Sequence, residues 1–229
     1  MKIKKKETFN YEKHLDNFGH DYFHGGTLSN YGEYDWQHFS GVLKEYTNTF
    51  LEYFPQDFHF KVLDAGGAKG FLVKILLDMD FDAYGFDISK FAVEDGIKTF
   101  PELKERFRVD DITKFTNYMD SSFDLVLACE VLEHIPEHLT ESAIRNIARV
   151  TKKYALFSLP MGDKKGEGDG DVTHINIHPR EWWENKIFPY FKYVPDIDIS
   201  TLNHVHGLWN FMPLILKQPL SRNQDNEKS

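Results

Sequence analysis

The sequence predicts a doubly wound α/β fold, in which helices cover both faces of a mostly parallel sheet of seven strands. Strand-like and helix-like runs alternate through the interior, a strand near residue 62 breaks at glycines before an amphipathic helix, and the run 123–132 is almost continuously apolar. Such alternation is typical of parallel sheets, because each crossover between parallel neighbours needs a helix. The last two strand-like runs have no clear helix between them, so we expect one antiparallel strand near the C-terminus.

Length, composition and charge restrict the kinds of protein that this chain can be. Its 229 residues are 41% hydrophobic and 28% charged, which suits one domain with a single large core. The net charge of −9 argues against a nucleic-acid partner, because phosphate binding needs clustered Lys and Arg. One cysteine excludes an intramolecular disulfide, and no run has the length of a membrane span or the pattern of a signal peptide. We expect a soluble, cytoplasmic monomer or homodimer with no membrane partner.

The first half of the predicted core begins with a helix. Apolar residues recur at helical spacing over 34–54 and again over 71–79, so both segments are predicted to be amphipathic helices. Between them, 61–65 is predicted to be a buried strand, and 82–87 is predicted to be the second strand. Ser89 follows the second strand directly, where its hydroxyl can cap the next helix.

The second half continues the same alternation. The runs 107–113 and 123–132 predict the third and fourth strands. Thr140 is placed to cap the helix that follows the fourth strand. The remaining strand-like runs are 154–160, 191–200 and 210–217.

The most informative segment is the glycine-rich turn Asp64–Gly70, with the sequence Asp-Ala-Gly-Gly-Ala-Lys-Gly. A turn of this kind lets a ligand approach bare backbone at a helix N-terminus. A tight turn without a ligand would need the same glycines, so the turn by itself leaves both interpretations open. Asp87 ends the second strand 17 residues after Gly70. It favours a ligand, because a carboxylate there can accept hydrogen bonds from the two hydroxyls of an adenosine ribose.

Two further segments complete a pattern that is characteristic of one family. Asp110–Ile112 ends the third strand, and Asp124–Pro136 contains the fourth strand and its exit, Glu-Val-Leu-Glu-His-Ile-Pro. Together with the glycine turn and Asp87, their order and spacing resemble the class I S-adenosylmethionine-dependent methyltransferases, in the small-molecule branch. The resemblance spans roughly residues 60–160. It implies the Rossmann-like methyltransferase fold and S-adenosylmethionine as the cofactor.

The resemblance also assigns residues to that cofactor. Asp64 and the glycine turn would hold the methionine end, Asp87 the ribose, and Asp111 the adenine amine. Ala68 departs from the family, which has a glycine there, and its methyl group is tolerated if φ is negative. The implied cofactor-binding residues are Asp64, Gly66, Gly67, Gly70, Asp87, Ile88, Asp111, Ile112, Glu130 and Leu132.

A single domain over residues 1–229 is expected, arranged as the resemblance implies. The N-terminal helical segment, residues 1–55, would lie over the site, and residues 56–160 would form the cofactor-binding core. Residues 161–217 would supply an acceptor-side loop and the C-terminal strands, followed by a flexible tail at 218–229.

Candidates for proton transfer and acceptor binding follow the fifth strand. His174 comes after a glycine-rich loop, in a region that often contributes to the acceptor pocket of related methyltransferases, and histidine titrates near neutral pH. We expect His174 to be a general base, with His178 as a weaker candidate; local ordering of the loop is the alternative role for His174. The candidate acceptor-binding residues are Tyr22, Tyr31, Tyr34, His134, Trp182 and His206.

No metal site is expected from the sequence. His174 and His178 have a ligand spacing that suits a helix, with Glu181 three residues further on. Pro179 disfavours helix at His178, however, so the two rings need not share a face.

The predicted function is methyl transfer to an oxygen or nitrogen of a small metabolite, for example a sugar or a natural-product intermediate. The alternative is a non-catalytic S-adenosylmethionine-binding sensor or scaffold protein. A nicotinamide-dependent oxidoreductase is disfavoured, because the acid Asp64 precedes the glycines. Methylation of DNA amino groups is disfavoured, because no Asn/Asp-Pro-Pro-Tyr sequence follows the fourth strand.

Overall fold

The fold is taken from a computed structural model that describes residues 10–29, 32–52, 60–114, 117–162 and 171–193, together with the backbone of 214–217. The helices are α1 (Tyr11–Leu15), α2 (His20–Phe23), α3 (Trp36–Leu51), α4 (Phe71–Asp78), α5 (Lys90–Thr99), α6 (Glu137–Val150) and α7 (Arg180–Ile187). The strands are β1 (Lys61–Ala65), β2 (Asp82–Asp87), β3 (Phe107–Val109), β4 (Phe123–Cys129), β5 (Thr151–Ser158) and β6 (Leu214–Lys217). Short 3-10 helices occupy Pro101–Glu105 and Leu132–His134.

The strands form one sheet in the order β3-β2-β1-β4-β5-β6. Strands β1 to β5 pair in parallel, and β6 pairs with β5 in the antiparallel direction, with Leu216 opposite Ala155. The chain moves outward from β1 to β3 and then returns to the other side of β1 for β4. The strand order therefore reverses between β1 and β4, which is where open parallel sheets of this kind bind ligands.

The number of strands differs from the prediction of seven, because the described residues form six. The predicted strand 191–200 is described over 191–193 alone, and Phe191 belongs to the turn that ends α7, where its amide donates to the carbonyl of Ile187 at 3.1 Å. The predicted third strand is also shorter, since β3 ends at Val109. A turn follows it, in which the Asp111 carboxylate accepts the amide of Thr113 at 2.8 Å.

Helices pack on both faces of the sheet, as the doubly wound prediction requires. On one face, Ile144 of α6 and Trp183 of α7 are fully buried against Phe157 of β5. On the other face, Phe50 of α3 and Leu76 of α4 are fully buried against the same sheet. Within the described part of the chain, no helix is both long and apolar enough to cross a membrane.

Helix starts follow local side-chain chemistry in most places. The Asp35 carboxylate caps α3 by accepting the amide of His38 at 2.9 Å, and Ser89 caps α5, as predicted, by accepting the amide of Ala92 at 3.0 Å. The predicted cap at Thr140 is wrong. Helix α6 begins earlier, at Glu137, so Thr140 lies one turn inside the helix. Its buried hydroxyl accepts instead from the Asn176 side chain at 3.0 Å.

The N-terminal segment 10–29 lies across the carboxyl ends of the central strands. The Ser89 hydroxyl donates to the carbonyl of Phe18 at 2.6 Å, which ties this segment to the start of α5. On the other side, the amide of Val172 donates to the carbonyl of Leu28 at 3.2 Å. The segment thus bridges two parts of the chain and covers the sheet edge at which a ligand would bind.

Candidate functional site

A cavity of about 690 Å³ opens at the carboxyl ends of the central strands. The N-terminal segment contributes aromatic walls, including Tyr11, Phe18, Tyr22 and Phe23. Six of the residues predicted to bind the cofactor line the opposite side: Gly66, Asp87, Ile88, Asp111, Ile112 and Glu130.

The glycine turn comes close to other groups on both sides. Gly66 has a φ of +89°, and a Cβ there would lie 2.4 Å from Cγ2 of Val131. A Cβ on Gly67 would lie 2.4 Å from Oδ2 of Asp64. Both positions therefore exclude a side chain, which is the physical reason for glycines at this end of β1.

Ala68 does not meet the condition, a negative φ, under which its methyl group would be tolerated without strain. Its φ is +50°, in the left-handed region that disfavours every residue with a Cβ except by local compensation. Part of that compensation is a hydrogen bond from the Ala68 amide to Oδ2 of Asp87 at 2.8 Å. The methyl group lines the cavity, where a glycine would leave more room.

Two carboxylates, Asp64 and Asp87, give this part of the site a negative character. Burial, followed by the negative charge of Asp87, raises the pKa of Asp64 to about 7. Removal from water raises the pKa of Asp87 to about 6, against hydrogen bonds from the amides of Ser89, Ala68 and Ile88. Oδ2 of Asp64 is buried with no hydrogen-bond partner among the described residues. The arrangement favours a ligand that brings a positive charge.

Asp111 and Ile112 lie at the far end of the cavity, beyond β3. Oδ1 of Asp111 accepts from the Thr113 amide at 2.8 Å, and its Oδ2 lies 3.2 Å from Nζ of Lys114. Lys114 is largely exposed, so its side chain can move away. Oδ2 of Asp111 can then accept a hydrogen bond from a ligand. Ile112 is buried at the cavity wall and offers an apolar surface to a flat ring.

Four residues predicted to bind the cofactor stand behind the cavity wall. Leu132 is fully buried in the core beneath α6. Gly70 precedes the first residue of α4, where a Cβ would crowd Leu103 and Phe107. Asp64 and Gly67 lie under the turn and contact each other. None of these four residues lines the cavity. Asp64, Gly67 and Gly70 shape the turn instead.

The candidate acceptor residues divide into four groups, of which Trp182 is described below with His178. Tyr22 and His134 line the cavity, with ring centroids 6.2 Å apart. Tyr34 stacks on Phe71, with ring centroids 5.4 Å apart, and lies near Asp64 and Asp87, whose charges add to burial in raising the pKa of its hydroxyl. Tyr31 and His206 lie outside the described residues.

His178 and Trp182 form a separate pair away from the cavity. Their rings stack with centroids 3.7 Å apart, and Nε2 of His178 lies 3.0 Å from the Asn176 side-chain oxygen. Neither side chain lines the cavity. The structure therefore gives His178, the weaker candidate base, and Trp182 a packing environment at the start of α7.

His174 lies beside His134 in a buried polar cluster at the exit of β4. The two rings have centroids 4.7 Å apart. Nε2 of His174 lies 4.0 Å from Oε1 of Glu133 and 3.9 Å from Oδ2 of Asp171. Tyr22 donates to the same Asp171 oxygen at 3.3 Å, so the cluster continues to the cavity wall.

Sequence reasoning missed Glu133, Asp171 and Thr173 in this cluster. The carbonyl of Glu133 accepts the amides of Ile175 and Asn176, at 3.0 and 2.9 Å, which fastens the segment after β5 onto the turn after β4. The adjacent pair Glu133 and His134, directly after an apolar strand, was the local signal. That local signal could not show that His134 contacts Thr173, because the two residues belong to segments about 40 residues apart in the sequence.

Residues 63–159 match the family described as a methyltransferase domain. The match covers β1 to β5, including the glycine turn, Asp87 and the exit of β4. The chain contains a class I S-adenosylmethionine-dependent methyltransferase domain. The predictions of that family and of S-adenosylmethionine as its cofactor are thereby confirmed.

Solved structures show the same fold over nearly the whole of this chain. The 1,6-didemethyltoxoflavin-N1-methyltransferase of Burkholderia thailandensis, with bound 1,6-didemethyltoxoflavin and S-adenosylhomocysteine, has a TM-score of 0.65 at 12% identity, covering 94% of this chain and 93% of that one. Magnesium protoporphyrin IX methyltransferase from Synechocystis PCC 6803, with bound S-adenosylmethionine, has a TM-score of 0.61 at 15% identity, covering 93% and 100%.

A third similar structure carries a different activity. The [4+2]-cyclase SpnF has a TM-score of 0.56 at 21% identity, covering 78% of this chain and 82% of that one. Among curated proteins, no sequence matches the methyltransferase chain. Because one fold carries several chemistries, the acceptor must be argued from the site itself.

The site of this methyltransferase fits its cofactor by two observations. Gly66 and Gly67 leave bare backbone at the turn where a Cβ would collide with its surroundings. Asp64 and Asp87 form no ion pair with a described cation, and burial raises the pKa of each, so a ligand with a cationic sulfur and an ammonium group supplies the charge that they lack.

Proposed function

We propose that this methyltransferase transfers a methyl group to an oxygen atom of a small molecule. The observation that carries the proposal is the His134–His174 pair with its carboxylates, which adjoins the cavity beside the predicted cofactor residues. A hydroxyl acceptor must lose a proton during methylation, whereas an uncharged amine can attack before it loses one. Side chains that help the acceptor hydroxyl to lose its proton are therefore expected next to an oxygen acceptor.

The predicted cofactor contacts follow from the cavity walls. Asp87 would accept hydrogen bonds from the ribose hydroxyls, because its carboxylate lines the cavity and is fixed by the amides of Ala68 and Ser89, each at 2.8 Å. Asp111 and Ile112 would contact the adenine. Asp64 would stabilise the glycine turn and neutralise the positive charge of the methionine ammonium group.

Methyl transfer depends more on the alignment of donor and acceptor than on reactive side chains. S-adenosylmethionine, when bound, supplies a methyl group on a cationic sulfur, and its loss leaves that sulfur with the electron pair of the broken carbon–sulfur bond. The chain must place the acceptor oxygen in line with this bond and exclude water. The aromatic wall of Tyr11, Phe18 and Tyr22 covers the cavity and serves both purposes.

The shape and charge of the cavity support a small acceptor. The N-terminal segment covers the cavity, so the described residues offer a polymer no open groove. Carboxylates from Asp87, Asp110, Asp111 and Glu130 line its walls and oppose a polyanion. Phe18 and Tyr22 favour an acceptor with an apolar or aromatic part.

The test is a transfer assay with two matched panels of acceptors, one of phenols and alcohols and one of amines of the same ring systems. We expect release of S-adenosylhomocysteine and a methylated product with members of the oxygen panel. Transfer confined to the amine panel would contradict the choice of oxygen. Stoichiometric binding of S-adenosylmethionine without transfer to either panel would favour the sensor or scaffold alternative.

A further inference from the structure

The buried cluster at the exit of β4 contains the side-chain types that bind transition metals. One ligand atom from each of Glu133, His134 and His174 can be chosen so that all lie within 4.8 Å of one another. Two imidazoles and a carboxylate form a common donor set for divalent metals. We propose that Glu133, His134 and His174 bind a divalent first-row transition-metal ion beside the acceptor end of the cavity.

Glu133 provides the first argument. Its side chain is fully buried, and neither carboxylate oxygen makes a hydrogen bond of good geometry with a described residue. Its charged neighbours are Glu130 and His174, whose Nε2 lies 4.0 Å from Oε1 of Glu133. A buried carboxyl group without partners reduces the stability of the fold. A metal ion would supply the missing positive charge and bind those oxygens.

His134 provides the second argument, because Thr173, which is not one of the three proposed ligands, fixes the position of its ring hydrogen. Nδ1 lies 3.3 Å from the carbonyl oxygen of Thr173 and 2.9 Å from its hydroxyl. A carbonyl oxygen can only accept, so Nδ1 carries the hydrogen and Nε2 presents its lone pair. Histidines that bind metals are oriented in this way.

His174 completes the set from the segment after β5. Its Nε2 lies 4.0 Å from Glu133 and 3.9 Å from Asp171. Atoms bound to one metal at about 2.1 Å stand roughly 3–3.5 Å apart, so the three donors must move inward slightly when an ion binds. The ring of His174 is partly exposed and can make that movement. Asp171, which accepts the Thr173 hydroxyl at 2.5 Å, holds this segment in place.

The inference deepens the proposed function and rests on it for the chemistry, although metal binding itself can be measured separately. Three protein ligands leave open positions for an acceptor hydroxyl, whose pKa falls when its oxygen binds the metal. Its proton passes to water, and the oxygen forms a bond to the methyl carbon as the carbon–sulfur bond breaks. Catechols and vicinal diols, which offer two oxygens, are the acceptor class that fits best. His174 then acts as a ligand, since a metal-bound nitrogen cannot accept a proton.

Metal binding is tested on the full chain without a polyhistidine tag, after treatment with a chelator. We expect one Co²⁺ or Zn²⁺ ion per chain by calorimetry, together with a visible Co²⁺ absorption spectrum. His174→Ala and Glu133→Gln are expected to weaken binding at least tenfold, and Thr173→Val to weaken it less. His138→Ala is the matched control, because this exposed histidine lies four residues from His134 and outside the cluster.

The proposal is overturned if the wild-type chain binds no stoichiometric metal, or if His174→Ala binds it as tightly as wild type. His174→Ala also serves as the decisive variant if Glu133→Gln fails to fold. Calorimetry with S-adenosylmethionine runs in parallel on the same samples. Metal binding without cofactor binding would remove the proposed function and leave the metal site, whereas the reverse result would remove the metal site alone.

Discussion

At the scale of single residues, strain and close approach are concentrated in the turn between β1 and α4. Ala68 adopts a φ of +50°, while Gly66 and Gly70 adopt +89° and +73°. Glu130, at the exit of β4, is also left-handed at +54°. Non-glycine residues in this region store backbone strain, and such strain is often found at functional sites. Ala68, which follows β1, and Glu130, which follows the adjacent strand β4, both line the cavity.

Ala68→Gly is expected to leave the fold intact and to change its stability by less than about 1 kcal/mol, because the loss of left-handed strain offsets the flexibility of glycine in the unfolded chain. Gly66→Ala is the contrasting variant. Its Cβ would meet Val131 at 2.4 Å, so we expect weaker cofactor binding and lower stability. Thermal denaturation and calorimetry measure both effects. Equal behaviour of the two variants would contradict this account of the turn.

Asp87→Ala is expected to weaken S-adenosylmethionine binding by about 1.5–3 kcal/mol, the scale of hydrogen bonds to a charged group. Asp82→Ala is the matched control, because Asp82 stands at the other end of β2 and pairs with Arg106. Calorimetry at constant pH makes the comparison. Unchanged affinity in a folded Asp87→Ala protein would remove the ribose assignment.

At the scale of secondary-structure elements, Ser89 connects two parts of the site. Its hydroxyl oxygen accepts the amide of Ala92 at the start of α5 and donates to the carbonyl of Phe18 at 2.6 Å. One side chain therefore caps a helix and holds the N-terminal segment over the cavity. We therefore predict that cofactor binding and the order of that segment depend on each other.

Ser89→Ala is expected to reduce the free energy of unfolding by about 1 kcal/mol through the lost cap, and to weaken cofactor binding as well. Ser89→Asp retains a cap but cannot donate to the Phe18 carbonyl, so it separates the two effects. Chemical denaturation reports the cap, and hydrogen exchange over 11–23 reports the segment. A Ser89→Asp protein with normal protection there would contradict the proposed tie.

At the scale of the whole molecule, the carboxylates at the centre of the sheet link stability to pH. The pKa of Asp64 rises to about 7 in the folded protein, while that of an unfolded Asp lies near 3.8. The folded state therefore binds a proton more tightly than the unfolded state. This contribution to stability is fully present below about pH 4 and is lost as the pH rises towards 7.

Asp64→Asn is expected to become progressively more stable than wild type as the pH rises from 5 to 7, by up to about 1.4 kcal/mol for each pH unit. Comparing the two proteins at each pH cancels the opposing effect of His134, whose pKa is lowered. Denaturant titrations at several pH values give the difference. A difference in stability that does not change with pH would contradict the raised pKa of Asp64.

The sequence by itself determined the features that depend on neighbours along the chain. Helical spacing predicted α3 and α4, Ser89 predicted the start of α5, and the glycine turn with Asp87 predicted a nucleotide-like site at the ends of β1 and β2. These signals are local, because spacing, caps and glycine turns act within a few residues. The family, and with it the cofactor, was predicted because the order and spacing of these motifs resemble a known family.

Tertiary structure decided what depends on segments that meet only after folding. The placement of His178 in a stack with Trp182, and of Leu132 in the core, could not be read from spacing. The cluster of Glu133, His134 and His174 exists because the segment after β5 hydrogen-bonds to the turn after β4. Strand pairing of β4 with β5 brings these distant segments together, and that pairing depends on the packing of the whole sheet.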